Sequence, residues 1–169
     1  MAKITTVLFV SLAMLLPLES FAADEDSSTP MFGKVYAGFG ITRDLMHLNA
    51  EMPTKWANVY IKGGQFINGS GIAGQVGFRK AYKYTSTDKT GYYFGGFVGH
   101  TFPDHLDGDR YNRLGAGGEM SYVWQNASRL NSVSVTLSLT KGETEANGNT
   151  LQQDVKIGFG ATIQVPLFD

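Results

Sequence analysis

Val155-Lys156-Ile157-Gly158-Phe159-Gly160-Ala161-Thr162-Ile163-Gln164-Val165-Pro166-Leu167 is the stretch that decides the fold. Its odd positions are all apolar, and its even positions are polar, glycine or proline. Successive side chains on a strand point to opposite faces, so this segment has one oily face and one wet or tightly packed face. It is long for an ordinary strand, which typically runs about 5–6 residues. A strand that crosses a bilayer at a tilt needs about 9–11. The stretch therefore reads as the closing strand of a barrel built to cross a membrane.

Working back from it, the same period recurs. Lys141 to Thr150 is rich in glycine and charge and reads as a loop. Before it, Val133, Val135, Leu137 and Leu139 alternate with Ser132, Ser134, Thr136 and Ser138. Leu114, Ala116, Met120, Tyr122 and Trp124 stand opposite Arg113, Gly115, Gly117, Glu119 and Ser121. Pro103 to Arg110 reads as an acidic loop. Ahead of it, Tyr92, Phe94, Val98 and Phe102 share one face, with Gly95 and Gly99 on the other. Ile72, Val76, Phe78, Tyr82 and Tyr84 oppose Gln75, Arg79 and Lys83. Ala57, Val59 and Ile61 oppose Asn58, Tyr60 and Lys62, and Phe39 and Ile41 oppose Gly38, Gly40 and Thr42. Between these last two segments, Met46, Leu48, Ala50 and Met52 alternate with His47, Asn49 and Glu51. That pattern allows a strand, though a short helix or a long loop fits nearly as well.

Seven strands are clear and parity asks for the eighth, because single-chain bacterial barrels use even strand numbers. The expected fold is all-β: an eight-stranded antiparallel up-and-down transmembrane β-barrel. On this topology the short turns, near Pro53, Thr85 to Thr90 and Asn126 to Arg129, lie on the periplasmic side. Tyr82, Tyr84, Tyr92, Tyr122, Trp124 and Phe168 then gather near that rim as an aromatic girdle. The opposite face carries many glycines among Arg79, Arg113, Glu119, Asp154 and Lys156. An eight-stranded barrel is only just wide enough for side chains, so these five are expected to form an ion-pair network in a filled lumen. The same alternation would suit a soluble periplasmic lipid-binding barrel with the apolar columns turned inward.

Charge is balanced, with 14 Lys+Arg against 15 Asp+Glu, which leaves no footprint for nucleic acid. There is no cysteine, hence no disulfide framework and no thiolate chemistry. Met1 to Ala22 has the marks of a secretory signal: Lys3, the apolar run Ile4 to Leu16, and the small-x-small site Ser20-Phe21-Ala22. Residues 1–22 are thus expected to be cleaved, 23–31 to form a flexible leader, and 32–169 to form the barrel.

Signal, alternating strands and closing strand together resemble the small outer-membrane β-barrel superfamily (OmpX/Ail-like, OmpA-transmembrane-like or OmpW-like). The resemblance covers the mature chain and rests on pattern. It implies the bacterial outer membrane, with lipid, lipopolysaccharide and the barrel insertion machinery as partners. Proteins of this kind usually end on an aromatic residue, whereas here Phe168 is penultimate. Some small outer-membrane barrels remodel lipid A with Ser, His and an acidic residue. His47, His100 and His105 match neither the His-x-Ser arrangement of the deacylases nor the loop Asp-Ser of the palmitoyltransferases, so no catalytic residue is assigned. Asp104, Asp107 and Asp109 crowd one loop but lack the spacing of a twelve-residue calcium loop. They read as a solvated acidic cluster, and no metal or cofactor is expected. The expected role is structural or surface interaction through the outer loops, with host or surface molecules as the ligands. A narrow solute channel and a lipid-A acyl hydrolase or transferase are the competing classes.

Overall fold

Two of the short turns are held by chemistry local to the turn itself. Asn126 Oδ1 accepts hydrogen bonds from the Ser128 and Arg129 amides at 2.9 and 3.0 Å, and Thr54 Oγ1 accepts from the Trp56 and Ala57 amides at 3.2 Å. Side chains of this kind stand in for backbone partners in tight reversals. The computed structural model describes residues 34–69, 71–106, 109–144 and 150–167. The signal and leader expected at 1–31, together with Phe168 and Asp107, lie outside the described residues.

Among the described residues ten strands follow in chain order: β1 (Tyr36–Thr42), β2 (Leu45–Pro53), β3 (Asn58–Phe66), β4 (Ala73–Tyr84), β5 (Gly91–Leu106), β6 (Asp109–Asn126), β7 (Arg129–Thr140), β8 (Glu143–Thr144), β9 (Thr150–Leu151) and β10 (Val155–Pro166). Among the described residues there is no helix. Eight of the strands close into an antiparallel barrel in the order β1-β10-β7-β6-β5-β4-β3-β2, every neighbour adjacent in sequence apart from the seam and the β7–β10 connection. The segment after Arg43 is therefore a strand, β2, as parity required. Strands β8 and β9 form a separate two-stranded ribbon inside the β7–β10 connection. One rim, the terminal rim, carries the start of β1, the end of β10 and three short turns. The distal rim carries the other four connections.

The apolar columns face outward. Leu48 is 73% exposed, Phe159 72% and Ile72 87%, while Asn49, Glu51, Lys62, Arg79 and Glu119 are buried inside. The soluble lipid-binding arrangement requires the opposite facing.

Register explains the glycines. Around the barrel, large inward side chains alternate with glycine: Arg79–Gly95–Glu119, Tyr60–Gly77–Phe97, and Gln164–Gly38–Asn49 are each linked by direct cross-strand pairing. A Cβ on Gly77 would meet the Tyr60 ring at 2.6 Å, and one on Gly117 would meet the Phe97 ring at 2.5 Å. The space a ring needs in so narrow a lumen is the space its cross-strand neighbour gives up.

Three expectations are corrected here. Phe102 is not on the outer column; it is buried inside, because an extra residue, Thr101, sits between the pairs His100↔Leu114 and Phe102↔Arg113. A β-bulge of this kind reverses the facing of everything beyond it. Lys83, expected inward, is exposed beyond a second irregularity between Ala81 and Lys83. The stretch from Pro103 to Arg110 is not an open loop. Pro103 to Leu106 pair with Asn112 to Asp109, so β5 and β6 continue as a hairpin past their neighbours.

Candidate functional site

The five residues expected to form one lumen network separate into two groups. Arg79 and Glu119 lie at mid-barrel. Arg113, Asp154 and Lys156 lie at the distal mouth.

At mid-barrel, Arg79 on β4 grips Glu51 on β2 with two nitrogens: Nε donates to Oε1 at 2.8 Å, and a terminal nitrogen takes Oε2. Glu51 also accepts from Asn58 Nδ2 at 2.8 Å and from Gln164 Nε2 at 3.1 Å. Arg79 turns its other terminal nitrogen toward Glu119 on β6, 3.5 Å away. Glu119 accepts from the Tyr60 hydroxyl at 3.2 Å and pairs with Lys62 at 3.8 Å. Lys62 in turn donates to Thr42 Oγ1 at 3.3 Å, and Thr42 bonds His47 Nε2 at 3.0 Å. Two carboxylates thus face two cations, across a lumen they reach from four strands. Buried charges survive when paired and hydrogen-bonded; each of the four is ion-paired and makes at least one hydrogen bond, although Glu119 Oε1 meets Arg79 only as an ion pair and accepts no hydrogen bond.

An apolar cluster flanks the network on each side. Near the terminal rim, Tyr36, Tyr93, Val123 and Leu130 pack together inside the barrel. The Tyr36 hydroxyl donates to the Asn126 carbonyl at 3.0 Å, and that of Tyr93 to the Lys89 carbonyl at 2.7 Å. Toward the distal rim, Leu45, Phe66 and Ala73 form the second cluster. The lumen is packed by aromatic and apolar side chains as well as by the small residues and ion pairs expected. Glu51 and Lys62, legible as inward-facing, were not legible as partners of Arg79 and Glu119.

At the distal mouth, the buried ring of Phe102 gathers three cations. The Arg43 and Arg113 guanidinium carbons lie 5.1 and 5.5 Å from its centroid, and Lys156 Nζ lies 5.0 Å away. Arg113 binds Asp104 at 2.9 Å and donates to the carbonyls of Lys141 and Gln152 at 2.8 and 2.6 Å. One side chain therefore ties the β5–β6 hairpin to the β7–β10 connection. Lys156 pairs with Asp154 at 2.5 Å, which holds the Asp154 carboxyl below its usual range. Asp104 is thus an ion-pair partner of Arg113, and Asp109 lies within β6.

On the outer wall near the terminal rim, the expected girdle forms a chain of edge-on rings. Tyr82 meets Phe94 at 5.4 Å, Tyr92 meets Tyr122 at 5.0 Å, and Tyr122 meets Trp124 at 4.8 Å. Tyr84 contacts the inward ring of Tyr93 at 6.3 Å. His100, on the outer side opposite Leu114, accepts from the Gly74 amide at 3.0 Å. His47 is buried within the lumen chain, and neither histidine is placed with a serine and a carboxylate as a triad requires.

What the fold and its interior define is a closed eight-stranded barrel with an oily wall and a filled, ion-paired lumen. Comparison with family models, with curated proteins and with solved structures gives no match.

Proposed function

We propose that this chain is a small, non-enzymatic outer-membrane β-barrel with a structural or surface-interaction role. The observation that carries the reading is the facing of the wall. Apolar side chains stand exposed on all eight strands, far beyond the few hundred Å² of apolar patch that soluble monomers show. In a bilayer that surface is buried in hydrocarbon, and the strands hydrogen-bond to one another around a closed circuit that leaves no open sheet edge. The tyrosines and Trp124 would then sit at the headgroup level of the terminal rim, facing the periplasm. The distal rim, with the protruding hairpin and the β8–β9 ribbon, would face outward. Lipid, lipopolysaccharide and the insertion machinery are the partners this reading implies.

The interior favours a plug over a channel, since its charges are mutually paired and flanked by apolar clusters. The test is fractionation followed by a detergent gel run unboiled and boiled. An outer-membrane band that migrates differently before boiling is the expected result. An unshifted band in the soluble periplasmic fraction would overturn the reading. Planar-bilayer recordings of the purified protein address the channel alternative, and steady solute-sized conductance would favour it.

A further inference from the structure

We infer that the distal mouth is a binding site for one tetrahedral phosphate oxyanion, held by Arg43, Lys156 and the floor residue Arg113. The argument starts from the β1–β2 turn. Arg43 occupies the left-handed region at φ 55°, which is uncommon for a residue with a side chain. That backbone lays the Arg43 stem over Gly158, where a Cβ would lie 3.2 Å from Arg43 Cβ, and brings the guanidinium to the Phe102 ring. The strained turn thus delivers a cation into the mouth.

Three cations around one ring repel one another. Asp44, Asp104 and Asp154 offset them, but they leave donors over. Arg43 NH1 and Arg113 Nε are buried and find no hydrogen-bond partner among the described residues. Arg113 is 3% exposed, whereas the side chains of Arg43 and Lys156 are 26% and 34% exposed. The site therefore has a buried floor and walls open to solvent. A phosphate seated there would receive charge-assisted bonds from both arginines and would displace Asp154 as the partner of Lys156. Such a group reaches the rim either dissolved or on a lipid headgroup, and the chemistry is the same. The inference does not depend on the membrane reading, because the site can be titrated in detergent.

The experiment is titration of inorganic phosphate into the folded full barrel in maltoside micelles, following the arginine Nε–Hε resonances, against chloride at equal ionic strength. Saturable shifts of Arg43 and Arg113 with phosphate alone are expected. R43Q and K156Q should each weaken the apparent affinity by about tenfold, the worth of one charge-assisted bond. D154N should tighten it several-fold by freeing Lys156, an effect that a merely structural cluster would not give. Retained heat-modifiability shows that each variant is folded. Shifts that are linear, or matched by chloride, or unchanged in R43Q, would overturn the site. Adding diphosphorylated lipid A in nanodiscs separates the two sources. Loss of the phosphate response means the headgroup occupies the site, and an undiminished response means a dissolved phosphate does; both outcomes uphold it.

Discussion

Mid-barrel and distal mouth are made of the same residue types and do opposite things with them. At mid-barrel, Glu51, Lys62, Arg79 and Glu119 are buried, in mutual contact and flanked by apolar clusters. At the mouth, Asp44, Lys156 and Asp154 stand partly in solvent. Water makes the difference. Removed from it, a charge must be satisfied by protein, and the arrangement locks; beside it, a charge can trade one partner for another.

The largest way to break this comparison is Arg79→Ala. It strands Glu51 and Glu119 without their guanidinium, and unfolding in urea should show a loss of about 3–5 kcal/mol. A stable variant with raised conductance would mean that mid-barrel is a gate. Next is Leu130→Ala, which opens a void in the fully buried cluster at the terminal rim and should cost about 2–5 kcal/mol by the same assay. Gly77→Val comes third. Its side chain enters the space of the Tyr60 ring, and a cost of about 1–3 kcal/mol is expected, with Tyr60 resonances displaced. A neutral result there would show that the alternation of rings and glycines is dispensable.

The smallest effect sharpens the contrast. Because the folded Asp154 carboxyl titrates below its ordinary value of 3.8, its contribution is complete above that pH. It fades as pH falls from 3.8 through the depressed value. Asp154→Asn should remove this acid-side dependence, and 0.5 M salt should mimic the change through screening. The mid-barrel network should resist the same salt. Melting curves across pH 2–5, at two salt concentrations, check both halves.

Much of this architecture was readable from the chain. Period-2 alternation is a local property, so seven strands, their inner and outer faces short of the two irregularities, and the turns at Thr85 to Thr90 and Asn126 to Arg129 follow from neighbours in sequence. Even β2, with its His47-Asn49-Glu51 inner face, fell to parity and alternation. The bulge at Thr101 did not, although Gly99, at φ 138°, is the signal that could have located it. A glycine inside a strand marks a place where pairing can slip, but not whether it does.

By itself, then, the sequence determined that the wall is oily on one side and polar on the other, and where most of the short turns fall. Only the closed barrel decided that Arg79 meets both Glu51 and Glu119, that Gly95 stands between Arg79 and Glu119, and that Phe102 points inward beneath Arg43. These are contacts between residues dozens of positions apart. They depend on register and closure, which every strand must satisfy together and no single segment encodes.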